Sequence, residues 1–212
     1  MAITTIPGTN GSDTSIIGTT GADTIKPTDF ANLFVDAAEG VDTITYSDAV
    51  TGVSTSGGDD NDTITFAAVT GGNANGNKGN DNINVLGDLD GNASVFGGQG
   101  NDTITFSGLV ENANEIAGSI GVDIITFAKN VSTSKVLGNQ DADTITLSDL
   151  GTAVSIFGGK STDTISVQET SGSVISGDKG DDTIATTAAT NSTMIMGGSG
   201  DDTVSIGAND DT

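Results

Sequence analysis

Apolar residues recur along this chain about every twenty positions, in a constant order relative to an Asp. Ile or Val stands two residues after each Asp, and a second apolar or aromatic residue usually stands four after it. Alternation with a period of two predicts a β-strand that turns both columns to one face. The Asp residues of this pattern are Asp23, Asp42, Asp62, Asp81, Asp102, Asp123, Asp143, Asp163, Asp182 and Asp202.

A third, weaker apolar column stands seven positions before the Asp and runs from Ile16 to Ile195. It predicts a second strand that faces the first. A fixed period near twenty residues is typical of stacked repeats, in which no coil can bury its own face. We therefore predict an all-β fold, a parallel β-roll or β-solenoid of about ten coils of about twenty residues, with two strands per coil. Residues 1–22 are expected to form an irregular half-coil and residues 23–212 the repeat array.

Glycine marks the turn that precedes each Asp. The position five before the Asp is Gly in nine of the ten coils, with Ala37 as the exception, and the position two before it is Gly in seven. Glycine at two fixed places indicates a backbone with positive φ or a close approach to another group.

The composition excludes several functions. The 212 residues include 29 acidic residues against six Lys, with no Arg, His or Cys, and the formal net charge is −23. Such a chain is not expected to bind nucleic acid, and it has no His or Cys for zinc ligation or nucleophilic catalysis. The N-terminus shows no ordinary secretory signal, and no stretch is apolar enough to span a bilayer.

Stacking would place the Asp carboxylates above one another. Two carboxylates ~4.8 Å apart repel by roughly 0.9 kcal/mol even at the dielectric constant of water. Ten turns leave nine gaps in which a cation would relieve this repulsion. A solvated acidic face is the alternative.

The most complete turns are Gly76 to Asp81, Gly97 to Asp102, Gly177 to Asp182 and Gly197 to Asp202. They resemble the G-G-x-G-x-D-x-U-x nonapeptide of the RTX, or haemolysin-type, calcium-binding repeat family. The resemblance implies Ca²⁺ between stacked turns, held by the Asp carboxylate and turn carbonyls. The candidate ligands are then the ten Asp of the column and Asp13, whose turn begins at Gly8 and would lie on the opposite edge. Because the period is twenty and not nine, we expect a variant with calcium along one edge only.

Several turns depart from the motif, and we expect their sites to differ. The turns before Asp123, Asp143 and Asp163 keep the Asp but lose part of the Gly pattern. The site at Asp102 is therefore expected to be stronger than the site at Asp163. Lys78, Lys160 and Lys179 could locally take the place of a cation.

Nothing marks a pair of catalytic carboxylates outside the periodic column. The sequence therefore predicts a non-enzymatic, calcium-binding structural protein of an extracellular or cell-surface assembly, such as a surface layer, a sheath or an adhesin segment. Uncapped ends would favour self-association or burial in a larger assembly. A virion fibre or decoration protein is one alternative. Another is an ice-binding β-solenoid that uses two outward Thr columns, which stand one and three positions after the Asp.

Overall fold

The computed structural model describes residues 4–6, 15–27, 31–112, 114–149, 151–189 and 192–207. Within them 22 strands form two sheets, and no helix is present. The predicted parallel β-solenoid is confirmed. The second sheet has ten strands, one for each Asp of the periodic column.

The first sheet has twelve strands and precedes the Asp turn in each coil. Its strands are Thr4–Ile6 (β1), Ser15–Ile17 (β2), Phe34–Asp36 (β4), Val50–Asp59 (β6), Val69–Lys78 (β8), Leu89–Asp90 (β10), Ser94–Gln99 (β11), Glu115–Ile120 (β13), Lys135–Gln140 (β15), Ser155–Lys160 (β17), Val174–Lys179 (β19) and Met194–Ser199 (β21).

The second sheet follows the Asp turn in each coil. Its strands are Thr24–Ile25 (β3), Thr43–Tyr46 (β5), Thr63–Phe66 (β7), Asn82–Val85 (β9), Thr103–Phe106 (β12), Ile124–Phe127 (β14), Thr144–Leu147 (β16), Thr164–Thr170 (β18), Thr183–Ala189 (β20) and Thr203–Ile206 (β22).

Equivalent residues of neighbouring coils lie side by side. Ile104 pairs with Ile83 on one side and with Ile125 on the other. All strand pairs are parallel except β1 with β2, which is antiparallel. Strand β2 already pairs with β4, so Ser15–Ile17 belong to the stack. This register stacks each kind of side chain into a ladder along the rod.

The three predicted apolar columns form the core. Ile44, Ile64, Ile104 and Ile145 of the column two after the Asp are fully buried. Pro27, an exception to the column four after it, is also buried. In the last described coil the inward Val204 and Ile206 are 43% and 55% exposed, because no described coil packs on them.

One column of the core was not predicted. Val50, Val69, Leu89, Val110 and Val131 form a further buried column at the turn opposite the Asp. This column is not apparent in the sequence, because its distance from the preceding Asp varies between seven and eight residues. It explains how turns without a shared motif still close the core.

Aromatic side chains stack inside the rod where consecutive coils carry them. The Tyr46 and Phe66 rings are 4.8 Å apart and within 7° of parallel, and those of Phe106 and Phe127 are 4.7 Å apart and within 5°. Each such pair adds about 0.5–1.5 kcal/mol beyond area burial. The described residues include no helix that is long and apolar enough to cross a membrane.

Candidate metal-binding turns

The periodic Asp side chains lie inside the solenoid. From Asp23 to Asp182 every one is at most 6% exposed, and Asp202 is half-buried. They share one edge, directly before the strands of the second sheet. Asp13, predicted for the other edge, lies outside the described residues. A column of buried carboxylates needs a compensating partner for each charge.

One oxygen of each carboxylate has a structural partner. The amide N of each Asp donates to Oδ1 of the Asp in the following coil; the distance from Asp81 N to Asp102 Oδ1 is 2.8 Å, and that from Asp102 N to Asp123 Oδ1 is also 2.8 Å. The same bond recurs from the Asp23 amide to Asp202 Oδ1. This ladder satisfies buried backbone amides and was not predicted.

The other oxygen of eight carboxylates is buried without a hydrogen-bond donor. These Oδ2 atoms belong to Asp42, Asp62, Asp81, Asp102, Asp123, Asp143, Asp163 and Asp182. Buried polar atoms without partners are rare in native proteins, and a bound ion is one accepted reason for them. Of the ten candidate Asp residues, eight therefore have a buried carboxylate oxygen that lacks a hydrogen-bond donor.

The glycine five positions before the Asp makes room for this oxygen. A Cβ placed on Gly97 would lie 2.3 Å from Asp102 Oδ2 and 2.7 Å from the carbonyl oxygen of Gly118 in the next coil. Gly76 shows the same arrangement with Asp81. An acidic oxygen and a carbonyl oxygen converge in this way at six turns, those of Gly57, Gly76, Gly97, Gly138, Gly158 and Gly177. Here glycine serves close approach and not unusual backbone torsion.

Two other turn positions require a left-handed backbone. In the turn before Asp102, Gly98 and Gly100 both have φ of 122°. Asp141 and Ser161 replace the second of these glycines in other coils and still have φ of 73° and 78°. The turns that depart from the motif therefore keep a positive φ at this position.

Burial changes the acidity of the column. Desolvation is the largest cause and raises the pKa of Asp102 to about 7 and that of Asp143 to about 8. The hydrogen bond from the preceding Asp amide lowers each value, and the neighbouring carboxylates raise it. Without a bound cation, burial therefore favours the protonated form of these carboxyl groups.

The first Asp turn is closed differently. Thr19 N donates to Asp23 Oδ2 at 2.6 Å, and the Thr19 hydroxyl lies 2.9 Å from the same oxygen. Both contacts are to Oδ2, so this oxygen of Asp23 has hydrogen-bond donors within its own turn. In the second turn, Ala37 stands where other coils have Gly and carries a buried methyl group at that position.

The lysines do not reach the buried column. Lys78 Nζ forms an ion pair with Asp59 at 2.9 Å on the surface. Lys160 and Lys179 are exposed, and Oδ2 of Asp81, Asp163 and Asp182 has no partner. The expectation that these lysines replace a cation is wrong, because their strand position points outward.

An exposed amide ladder runs beside the buried one. Asn61 Oδ1 accepts from Asn80 N at 2.7 Å, Asn80 Oδ1 from Asn101 N at 2.7 Å, and Asn101 Oδ1 from Val122 N at 2.9 Å. These bonds fasten the outer side of the turn between coils. The recurrence of Asn one position before the Asp was the sequence signal for it.

The arrangement suits a calcium ion. Ca²⁺ takes six to eight oxygen ligands in flexible geometry, and six of the turns present a donor-free carboxylate oxygen beside a carbonyl. No group of three or more Asp, Glu, His or Cys side chains that could hold a metal occurs among the described residues. A cation here would therefore take most of its ligands from the backbone.

The fold and site define a parallel β-solenoid with a buried acidic column at one edge. No family model matches the chain, and no curated protein matches it. A solved structure is similar over 97% of this chain and 84% of the other, with a TM-score of 0.50 and 20% identity. It is a hyperactive, Ca²⁺-dependent, β-helical antifreeze protein from an Antarctic bacterium. At this identity the likeness supports the fold.

Proposed function

We propose that this protein is a non-enzymatic structural β-solenoid whose coils are held together by Ca²⁺ along one edge. The observation that carries the proposal is the column of eight buried Asp Oδ2 atoms without donors. Asp42 to Asp182 would supply the carboxylate ligands, and carbonyls such as that of Gly118 would complete them. Bound calcium would supply the positive charge that the buried acidic column lacks.

Charge supports this proposal. Eight divalent cations carry sixteen positive charges and would take the formal net charge from −23 to −7. Because metal bound only by the folded state adds its binding energy to folding, calcium and folding are expected to be coupled. Membership of the RTX-type repeats, in a one-sided form, is part of the proposal.

The direct test is a calcium titration of chelated protein, followed by circular dichroism. We expect the β-sheet signal and the thermal midpoint to rise with Ca²⁺ and to respond far less to equal Mg²⁺, whose octahedral shell dehydrates reluctantly. Calorimetry should count about eight ions, as many as the orphan oxygens. A spectrum and midpoint indifferent to chelator would refute the proposal.

We place this function outside the cell or on its surface, as a segment of a surface layer, sheath or adhesin. The calcium dependence named for the antifreeze neighbour is consistent with a calcium-rich compartment. Calcium should also promote association by reducing repulsion between acidic rods. Sedimentation with and without Ca²⁺ tests this, and a monomer at high concentration in saturating calcium would count against it. No specific observation favours a virion role.

Ice binding is a second candidate, favoured by the outer face of the second sheet. Thr43 and Thr63 are register partners there, as are Thr105 and Thr126. All four side chains are exposed or half-exposed. The antifreeze neighbour makes the test worthwhile.

The ice-binding test is thermal hysteresis of the calcium-loaded protein. If this face binds ice, Thr105→Lys and Thr126→Lys should abolish the activity. Ser56→Lys, on the outer face of the first sheet, is the matched control and should leave it unchanged. Absence of hysteresis in the folded wild-type protein would remove this candidate while leaving the calcium proposal intact.

A further inference from the structure

Three of the six lysines lie together on the outer face of the first sheet. Lys135, Lys160 and Lys179 line an open groove of about 630 Å³, whose floor includes Leu137 and Phe157. We call this the lysine groove. Its volume falls in the range of about 300–1,000 Å³ that is typical of small-ligand sites.

The groove lysines are only partly neutralised, since Lys135 has Glu115 as its register partner on β13. Lys160 and Lys179 are direct register partners on β17 and β19, and like charges in this relationship are destabilising. Within the described part of the chain, the ion pair found is that of Lys78 with Asp59. Asp178 also lines the groove, but its carboxylate accepts a hydrogen bond from the Ser176 hydroxyl. The lining thus keeps a net charge of about +2 on a chain of −23.

The floor of the groove is part of an apolar stretch on the outer face of the first sheet. Leu137 and Phe157 are register partners, and both side chains are half-buried and face outward. The same column is polar in the first coils, at Asp36, Ser56 and Asn75. It is apolar at Phe96 and Ala117 just before the groove. Lysine charge and an apolar floor therefore coincide in one part of the face.

We infer that the lysine groove binds a short acidic oligosaccharide, of the uronic acid type, lying along the rod axis. A pyranose ring offers an apolar C–H face to Phe157 and Leu137, while its carboxylate suits the Lys160–Lys179 pair. Successive coils are about 4.8 Å apart, which is similar to the length of one sugar unit, so neighbouring rings would meet neighbouring coils. Asn139 adds an amide to the lining.

Two other occupants fit less well. A long, densely charged polyanion such as nucleic acid would be repelled by the acidic rod beyond the groove, within a screening length of about 8 Å. A second copy related by a two-fold axis would bring the same lysines against each other, because such an interface is self-complementary. A short ligand of modest charge avoids both penalties. The inference is independent of which cation holds the turns, provided that the coils are folded.

The test is calorimetric titration of calcium-loaded protein with tetragalacturonate. Lys160→Gln combined with Lys179→Gln should weaken binding about tenfold or more, on the scale of about 1.4 kcal/mol. Lys26→Gln combined with Lys129→Gln changes the charge equally at two exposed lysines outside the groove and should leave the affinity unchanged. Phe157→Ser should also weaken binding, and neutral maltotetraose should not bind.

The control double variant also separates direct binding from calcium bridging, since uronates themselves bind Ca²⁺. Affinity that is equal in the two double variants would overturn the inference, as would failure of folded wild-type protein to bind. Lysine-dependent binding of an acidic peptide or single-stranded DNA tighter than that of the sugar would overturn it too. Circular dichroism of each variant confirms that the solenoid is folded.

Discussion

Oδ1 of Asp123 accepts a hydrogen bond from the amide of Asp102 at 2.8 Å, whereas Oδ2 of the same carboxylate has no donor. The two oxygens therefore have separate tasks. One closes the backbone between coils, and the other faces the glycine turn and requires a proton or a cation. An Asn side chain could still accept the hydrogen bond between coils, but it would not offer a charged oxygen to a cation.

Asp102→Asn should separate stability from calcium binding. The Asn oxygen can still accept from the Asp81 amide, while its NH₂ group replaces the orphan oxygen and removes a buried charge. In chelator the variant should be more stable than wild type by about 1–3 kcal/mol, yet calorimetry should count fewer calcium ions. The exposed Asp48→Asn is the matched control and should change neither quantity.

Asp102→Ala should instead be less stable than Asp102→Asn, with or without calcium. It leaves the buried Asp81 amide without an acceptor, at a cost of about 1–3 kcal/mol in urea unfolding. If Asn and Ala variants behaved alike in chelator, the hydrogen-bond ladder would not be the structural role of this side chain.

Chelated protein should lose stability as the pH rises. The folded-state pKa of Asp102 is raised to about 7 and that of Asp143 to about 8, from 3.8 in the unfolded chain, with desolvation as the main cause. A raised folded pKa means that the native state holds more protons. The resulting stabilisation is complete below about pH 3.8 and is lost as the pH rises through about 6 to 8.

Calcium should reverse this dependence, because it competes with the proton for the same oxygen. Its affinity is expected to increase over the interval in which the chelated protein weakens. Thermal midpoints measured from pH 4.5 to 8.5, with chelator and with excess Ca²⁺, test both statements. Parallel profiles under the two conditions would contradict them.

Gly97→Ala should weaken calcium binding at one site by filling space. Its Cβ would fall 2.3 Å from Asp102 Oδ2 and 2.7 Å from the Gly118 carbonyl, and overpacking of this kind costs about 1–3 kcal/mol. Ala37→Gly is the converse change and should admit calcium more readily beside Asp42. Counting bound ions in both variants checks the pair. Equal counts would show that this glycine column does not control the sites.

Most of this architecture could be predicted from the sequence, because the same pattern occurs in ten successive repeats. The Asp column, the inward Ile columns and the edge they share all follow from a two-residue alternation and a constant period. The two uses of the Asp carboxylate could not be predicted, because they depend on which oxygen meets the next coil. The outward direction of Lys160 was misjudged for a related reason, since charge alone does not fix which side of a turn a residue occupies.

The sites at Asp163 and Asp102 are more alike in the structure than their turn sequences suggest. The turn before Asp163 has Ser161 in place of Gly, yet Ser161 adopts φ of 78° and Asp163 Oδ2 is as unpartnered as Asp102 Oδ2. The difference that remains between the two turns is the backbone strain at Ser161. A positive φ costs roughly 1–2 kcal/mol for a non-glycine residue.

Ser161→Gly should therefore raise the free energy of unfolding by up to about 1 kcal/mol. It should also strengthen calcium binding at Asp163. Ser155→Gly, in the strand of the same coil, is the matched control and should destabilise slightly, because Gly weakens strand interiors. Urea unfolding in excess Ca²⁺ measures the first effect, and calorimetry measures the second. A loss of stability in Ser161→Gly as large as that in Ser155→Gly would contradict this prediction. Backbone strain at Ser161 would then not be what weakens this turn.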